Sequence, residues 1–420
     1  YIWAVLFSSA VTLTGAKTIT IKNVWVGGQY SYIGTDATYR GARAVAFLGA
    51  LSAVTSITVS NCFFDFSTGT GLRTVTINIA TQAILAHFTV AVSTMTGVTI
   101  SNSSIRGIYT STGTGTADTE ARIAVFDAAV MSITELKVTG CGFSGTATST
   151  NGALLLDQVR FVSTIATSVV KITTLDCGTC GTTATSDCIY FGGIVSGGAA
   201  TTINIDDVKR SSTGAAGDRY IVRFTAAVTA DIITIKRVVV SYSITASAGT
   251  VGIYPVYFNG ALTSSGVAGS IVNVSDGSFS GTVTTSVTAV VTFYGALFNG
   301  VTGYEKMEFS GLKMVSGMTF AHTASGAANI ILINHNTAQT INGNGALTNF
   351  MVRSNAILIT YSATGTGTGL IRLVRFDILL AMGDVVVEDN SMSAMSATGK
   401  VSDISAVWFL GTVGAATISV

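Results

Sequence analysis

The sequence predicts an all-β chain wound as a right-handed parallel β-helix solenoid of about 11 to 12 coils. Three observations predict it: a strand phrase that returns along the whole chain, a composition of β-branched and small turn residues, and the lack of any helical period. One proline, Pro255, stands against 46 glycines, and 10% of residues are charged where about 25% is usual. Ala, Val, Ile, Thr, Ser and Gly dominate, a vocabulary of pleated strands and tight corners.

The phrase is a short alternating strand that ends on a small polar residue and a turn. It reads Ile19-Thr-Ile-Lys-Asn23, Ile57-Thr-Val-Ser-Asn61 and Val98-Thr-Ile-Ser-Asn102. It continues through Glu135-Leu-Lys-Val-Thr-Gly140, Lys171-Ile-Thr-Thr-Leu-Asp176, Ile203-Asn-Ile-Asp-Asp207, Ile233-Thr-Ile-Lys-Arg237 and Val272-Asn-Val-Ser-Asp276. Later copies are Met307-Glu-Phe-Ser-Gly311, Met351-Val-Arg-Ser-Asn355 and Val385-Val-Val-Glu-Asp-Asn390. A period-two strand sends alternate side chains to opposite faces, so Ile57 and Val59 point inward and Thr58 and Ser60 outward. Asparagine at 23, 61, 102, 355 and 390 suits a corner, because it tolerates left-handed backbone.

A more continuous apolar strand precedes most copies, as in Ala44-Val-Ala-Phe-Leu48, Ile123-Ala-Val-Phe126 and Tyr220-Ile-Val-Arg-Phe224. The period drifts between roughly 30 and 44 residues, within the solenoid range. Insertions such as Ser67-Thr-Gly-Thr-Gly71 absorb the drift in one loop. Helical repeats fail for want of a 3.6-residue period, and a propeller for want of four strands per repeat. The reading is a single domain over 1–420 without evident caps.

Several function classes drop out. The net charge of +1 gives no electrostatic case for nucleic acid. No apolar run approaches the roughly 20 residues of a membrane-spanning helix, and the long Gly/Ser/Thr turns are unlike those of a membrane barrel. No nucleophile elbow, metalloprotease motif or dinucleotide fingerprint is present. The Gly-Thr stretches near 68–71, 112–116 and 364–369 precede no helix and are not phosphate loops. His87, His322 and His335 show no partner at metal-ligand spacing. Trp3, Trp25 and Trp408 read as core or end-contact residues. No cofactor is expected.

The phrases Ile57-Thr-Val-Ser-Asn-Cys-Phe-Phe64 and Val98-Thr-Ile-Ser-Asn-Ser-Ser-Ile105 resemble coils of the pectate-lyase-like β-helix superfamily. The Thr/Ser/Gly/Ala-rich style also resembles the dispersed-gene-family surface proteins of kinetoplastid protists. That second resemblance implies an extracellular, surface-attached glycoprotein.

Polysaccharide-cleaving β-helices need clustered carboxylates with a nearby cation. The nearest set is the phrase-ending residue of four consecutive copies, Asp176, Asp207, Arg237 and Asp276, with Asp206, Lys209 and Arg210 beside it. It reads either as a saccharide or cation site or, in the reading preferred here, as a compensated charge ladder on a solvated turn. Of five cysteines, Cys141 and Cys177 follow phrase ends in successive copies and are candidates to bridge coils. Cys180 and Cys188 bracket a short loop and are candidates to pair, which leaves Cys62 over. A metal on Cys177, Cys180 and Cys188 is the weaker alternative. Asn102 and Asn273 open N-glycosylation sequons, though both sit inside strand phrases, and Ser/Thr loops offer O-glycan sites.

The chain begins on Tyr1 rather than Met, so a processed product is expected. Tyr1, Ile2, Trp3, Val5 and Phe7 form an apolar opening strand, and Thr417, Ile418 and Val420 close on an incomplete phrase. The expected role is therefore a non-enzymatic subunit of an extracellular or cell-surface fibre. Copies would stack head to tail into a homopolymer and carry covalent glycans. The alternatives are a carbohydrate-binding or polysaccharide-cleaving protein and an ordered fragment of a surface adhesin.

Overall fold

A computed structural model gives the fold. It describes residues 2–27, 40–65, 74–77, 81–111, 119–149, 154–155, 157–182, 185–197, 201–266, 268–286, 289–300, 302–322, 327–336, 349–364, 368–377, 380–392, 396–398, 401–410 and 413–420. Tyr1 and the Gly-Thr stretches at 68–71 and 112–116 lie outside them. The described residues are strands and turns without helix, and the strands pair in parallel. The fold is the parallel β-solenoid that the alternating phrase predicts. It divides into two compact units, Tyr1–Gly198 with Val208–Arg210, and Ala199–Asp207 with Ser211–Val420.

In the first unit one sheet runs through Ile2–Phe7, Arg40–Phe47, Thr81–Phe88, Thr119–Phe126, Val159–Phe161 and Ile189–Phe191. These are the apolar strands that precede the phrase. The phrases themselves stack in a second sheet, Val11–Lys22, Leu51–Ser60, Gly97–Ser101, Val130–Ser149 and Ile165–Thr182. Register there is one phrase per coil: Ile21, Val59, Ile100, Val138 and Ile172 align and are buried, and Thr20, Thr58, Thr99, Lys137 and Lys171 align on the opposite face.

Aromatic stacking fills the interior. Phe7, Phe47, Phe88, Phe126, Phe161 and Phe191 form one column with ring centroids 4.7–5.0 Å apart. That spacing is the separation of adjacent strands, so each ring rests on its equivalent in the next coil.

The second unit repeats the plan with Gly217–Phe224, Thr250–Phe258, Val290–Phe298, Ala328–His335, Gly369–Phe376 and Val401–Phe409. Its column is Phe224, Phe258, Phe298, His335, Phe376 and Phe409. Pro255, the lone proline, falls between the paired positions Tyr254 and Val256, where the ladder tolerates a missing donor.

The corner after each phrase is left-handed backbone. Asn23, Asn61, Asn102, Gly140 and Thr174 hold it in the first unit, with φ between 48° and 61°. Asp207, Arg237, Asp276, Gly311, Ser354 and Asp389 hold it in the second, with φ between 49° and 64°. The glycines have a further reason. A Cβ on Gly140 would lie 2.6 Å from Oδ1 of Asn102, and one on Gly311 2.8 Å from Oδ1 of Asp276. The side chain of one corner thus occupies the space above the next.

Two of the expected corner asparagines are one residue off. Ser354 and Asp389 take the left-handed position, while Asn355 and Asn390 follow it and turn inward. Asn355 is almost wholly buried. Its Oδ1 accepts from Leu312 N at 2.8 Å, and its Nδ2 donates to Phe309 O and Asn390 Oδ1, each at 3.0 Å. These residues brace the turn from inside.

Candidate functional site

The charged set predicted from phrase ends does not share one position. Asp207, Arg237 and Asp276 occupy corners, but Asp176 lies two residues beyond its corner, Thr174, and aligns with Gly142. Asp176 serves its own turn, accepting from Gly178 N at 2.8 Å. Lys236 aligns with Ser275, so Arg237 and Asp276 are equivalent positions of successive coils. Arg237 does not turn to Asp276; its Nη2 donates to Asp206 Oδ2 at 2.6 Å. Over half of the Arg237 side chain is in solvent, so this pair contributes under about 1 kcal/mol.

The cysteines depart from both predicted pairings. The disulfide joins Cys177 to Cys188, with Cα atoms 6.0 Å apart. Register explains the first departure: Cys141 aligns with Leu175, two residues short of Cys177. Cys180 is buried and aligns with Ala147. Cys62 and Cys141 are buried thiols at the inward place after the corner, where the first unit also has Ser103 and the second has Asn355. Burial raises both thiols above the ordinary range, Cys141 to about 11. They are therefore small core residues, not nucleophiles. Among the described residues, no group of three or more His, Cys, Asp or Glu is placed to hold a metal ion.

The two sequons differ. Asn102 is exposed on a left-handed corner. Asn273 sits in mid-strand between Thr234 and Glu308, half-buried. Of the predicted end residues, Trp3 is exposed, Val5 and Phe7 are half-buried beside Val45 and Phe47, and Thr417, Ile418 and Val420 are exposed. Ile2 aligns with Ala42. Trp25 is not core: it is 57% exposed, with its ring over Gly27.

Two charged groups, one buried at Asp157 and one half-exposed at Asp127, are closed locally. Asp157 lies between Arg122 Nε at 2.9 Å and Arg160 Nη1 at 2.8 Å. His87 Nε2 meets Asp127 Oδ2 at 2.6 Å. Burial works against the Asp127 carboxylate, but His87, Arg122 and Arg160 together hold it below its ordinary range. The histidines are strand residues with local partners: His322 Nδ1 with Thr285 Oγ1 at 2.5 Å, and His335 Nε2 with Thr302 Oγ1 at 3.2 Å.

The outer face of the second unit's first sheet carries a group that sequence reasoning missed. Tyr220 stacks on Tyr254 with centroids 5.0 Å apart, and Tyr254 meets Tyr294 edge-on at 5.9 Å. Arg223 lies over Tyr220 at 4.3 Å. At the strand ends Asn259, Asn299 and Asn336 form an amide ladder. Asn299 donates to Tyr257 Oη at 2.9 Å, and Asn336 donates to Asn299 Oδ1 at 3.2 Å. Asn334, in the file of Leu297 and Arg375, is fully buried, and neither of its amide atoms has a hydrogen-bond partner among the described residues. Burial pushes the Tyr254, Tyr257 and Tyr294 phenols up, so they act as neutral hydrogen-bonding groups. The signal was present as Tyr220, Tyr254 and Tyr294 before each copy, but variable loops hid their alignment.

No protein-family model, no curated protein and no solved structure matches this chain.

Proposed function

We propose that this chain is a non-enzymatic structural element of an extracellular or cell-surface assembly, with copies joined end to end and glycans on its hydroxyl-rich surface. The carrying observation is the shared corner conformation. Asp207, Arg237 and Asp276 stand where other coils have Asn, Asp, Gly, Ser or Thr, all left-handed. Backbone geometry therefore accounts for these positions without any chemistry between their side chains. The closed pairs of Asp157 and Asp127 point the same way. End-to-end joining is supported by the repeat itself, since parallel coils pair in register and the same pairing serves between copies. Electron microscopy of the native material tests this. Continuous filaments are expected, and discrete single molecules would contradict it.

The tyrosine and asparagine face favours a second reading, carbohydrate binding, in keeping with the likeness of the strand phrases to the pectate-lyase-like superfamily. Aromatic rings beside amides suit sugar rings and their hydroxyls. Tyr257→Ala would then weaken binding to a polysaccharide panel. Loss of a cleaving activity on Asp207→Ala would instead make the protein an enzyme.

A further inference from the structure

The second unit carries a face whose regularity the repeat alone does not require. Past the corner, Ile232–Ala246, Ser278–Thr285, Lys313–His322, Ala356–Ala363 and Ser396–Thr398 lie side by side. Their registers line up two files, which face outward on the first four of these strands. One is Ser243, Thr282, Thr319, Thr360 and Ser396, and the other is Thr245, Thr284, Ala321, Ser362 and Thr398. Nine of these ten positions are Ser or Thr.

The residues between them are buried: Ile244, Val283, Phe320 and Tyr361. The hydroxyl face is thus backed by a packed core. Ser243, Thr245, Thr282 and Thr360 are exposed, and Thr284 and Ser362 half-exposed. Among the described residues these six hydroxyls take no hydrogen-bond partner within the chain. The hydroxyls form a lattice of about 4.8 Å along the stack by about 6.7 Å along each strand.

We propose that this face pairs laterally with the same face of a second copy. Three properties select that partner. A Ser or Thr hydroxyl both donates and accepts, so the lattice is complementary to itself. The files carry no charge, so a copy meets no like-charge repulsion. And a second copy has the same two spacings, which lets contacts repeat over successive coils without drifting out of step. Five strands give a footprint of roughly 500 Å² per copy, below the about 800 Å² of a standard interface. One pair is therefore weak, and strength comes from repetition along an assembly. The inference rests on the structural reading above and adds the sideways contact to it.

Sedimentation equilibrium of the full chain over a wide concentration range tests it. Four proteins are compared: the wild type, Thr282→Lys with Thr360→Lys, Thr20→Lys with Thr99→Lys as a control on the first unit, and Thr282→Val with Thr360→Val. The wild type and control should associate reversibly and alike. The lysine pair on the face should lose the lateral association and keep only what end-to-end joining gives, with unchanged circular dichroism. The valine pair, which keeps the shape and removes the hydroxyls, should associate about tenfold more weakly. A wild type that stays monomeric throughout overturns the pairing, as does a valine pair that associates as tightly as the wild type. Association unchanged in the lysine pair also overturns it, while leaving end-to-end assembly standing.

Discussion

The inner columns of the two units are built alike and filled differently. In the first, six phenylalanines stack without interruption at 4.7–5.0 Å. In the second, His335 replaces one ring, and the flanking distances open to 5.9 and 6.5 Å. The imidazole is fully enclosed and takes its hydrogen bond from within its own unit, at Thr302. The polar ring sits where a neighbouring strand supplies a hydrogen-bond partner, and the stacking around it is looser.

The largest break in this comparison is expected from Phe126→Ala in the intact column, which removes contacts to rings on both sides. A loss of about 3–5 kcal/mol is expected, measured by denaturant unfolding. Next comes acid. Burial pulls the His335 imidazole down to about 4 from its ordinary 6.5. The unfolded chain therefore takes up this proton first. Stability from this group is complete above pH 6.5 and drains away as pH falls towards 4, by roughly 3 kcal/mol in all. His335→Phe with Thr302→Val removes both polar partners, so unfolding midpoints between pH 4 and 6.5 should flatten.

Asn355→Ala follows, at about 2 kcal/mol, because it strands the buried Leu312 N–H and Phe309 carbonyl. The smallest effects belong to the corners. Arg237→Asn should shift stability by under about 0.5 kcal/mol, while Arg237→Val, β-branched at φ 49°, should cost about 1–2 kcal/mol.

How far these features were legible in sequence follows from what period two can report. Alternation in Ile57-Thr-Val-Ser gives the faces of a strand, and its recurrence gives the stack, so the solenoid and its inward residues could be read directly. It does not fix register between coils separated by loops of changing length. Anchoring on asparagine moved the corners at Ser354 and Asp389 by one residue. Anchoring on Asp176 missed Thr174. The same uncertainty misassigned the cysteines, since a two-residue offset separates Cys141's neighbour Leu175 from Cys177. The tyrosine face and the hydroxyl lattice exist only once register is known.

A structural role for the corners requires that their ionisable residues are present for their backbone conformation. Thermal unfolding of the protein carrying Asp207→Asn, Arg237→Asn and Asp276→Asn together tests this most directly. Asparagine keeps the left-handed corner and discards the charges. An unfolding midpoint within about 2 °C of the wild type is expected. A fall several times larger would show that the charges hold one another in a network, and would contradict the reading that backbone geometry alone places them.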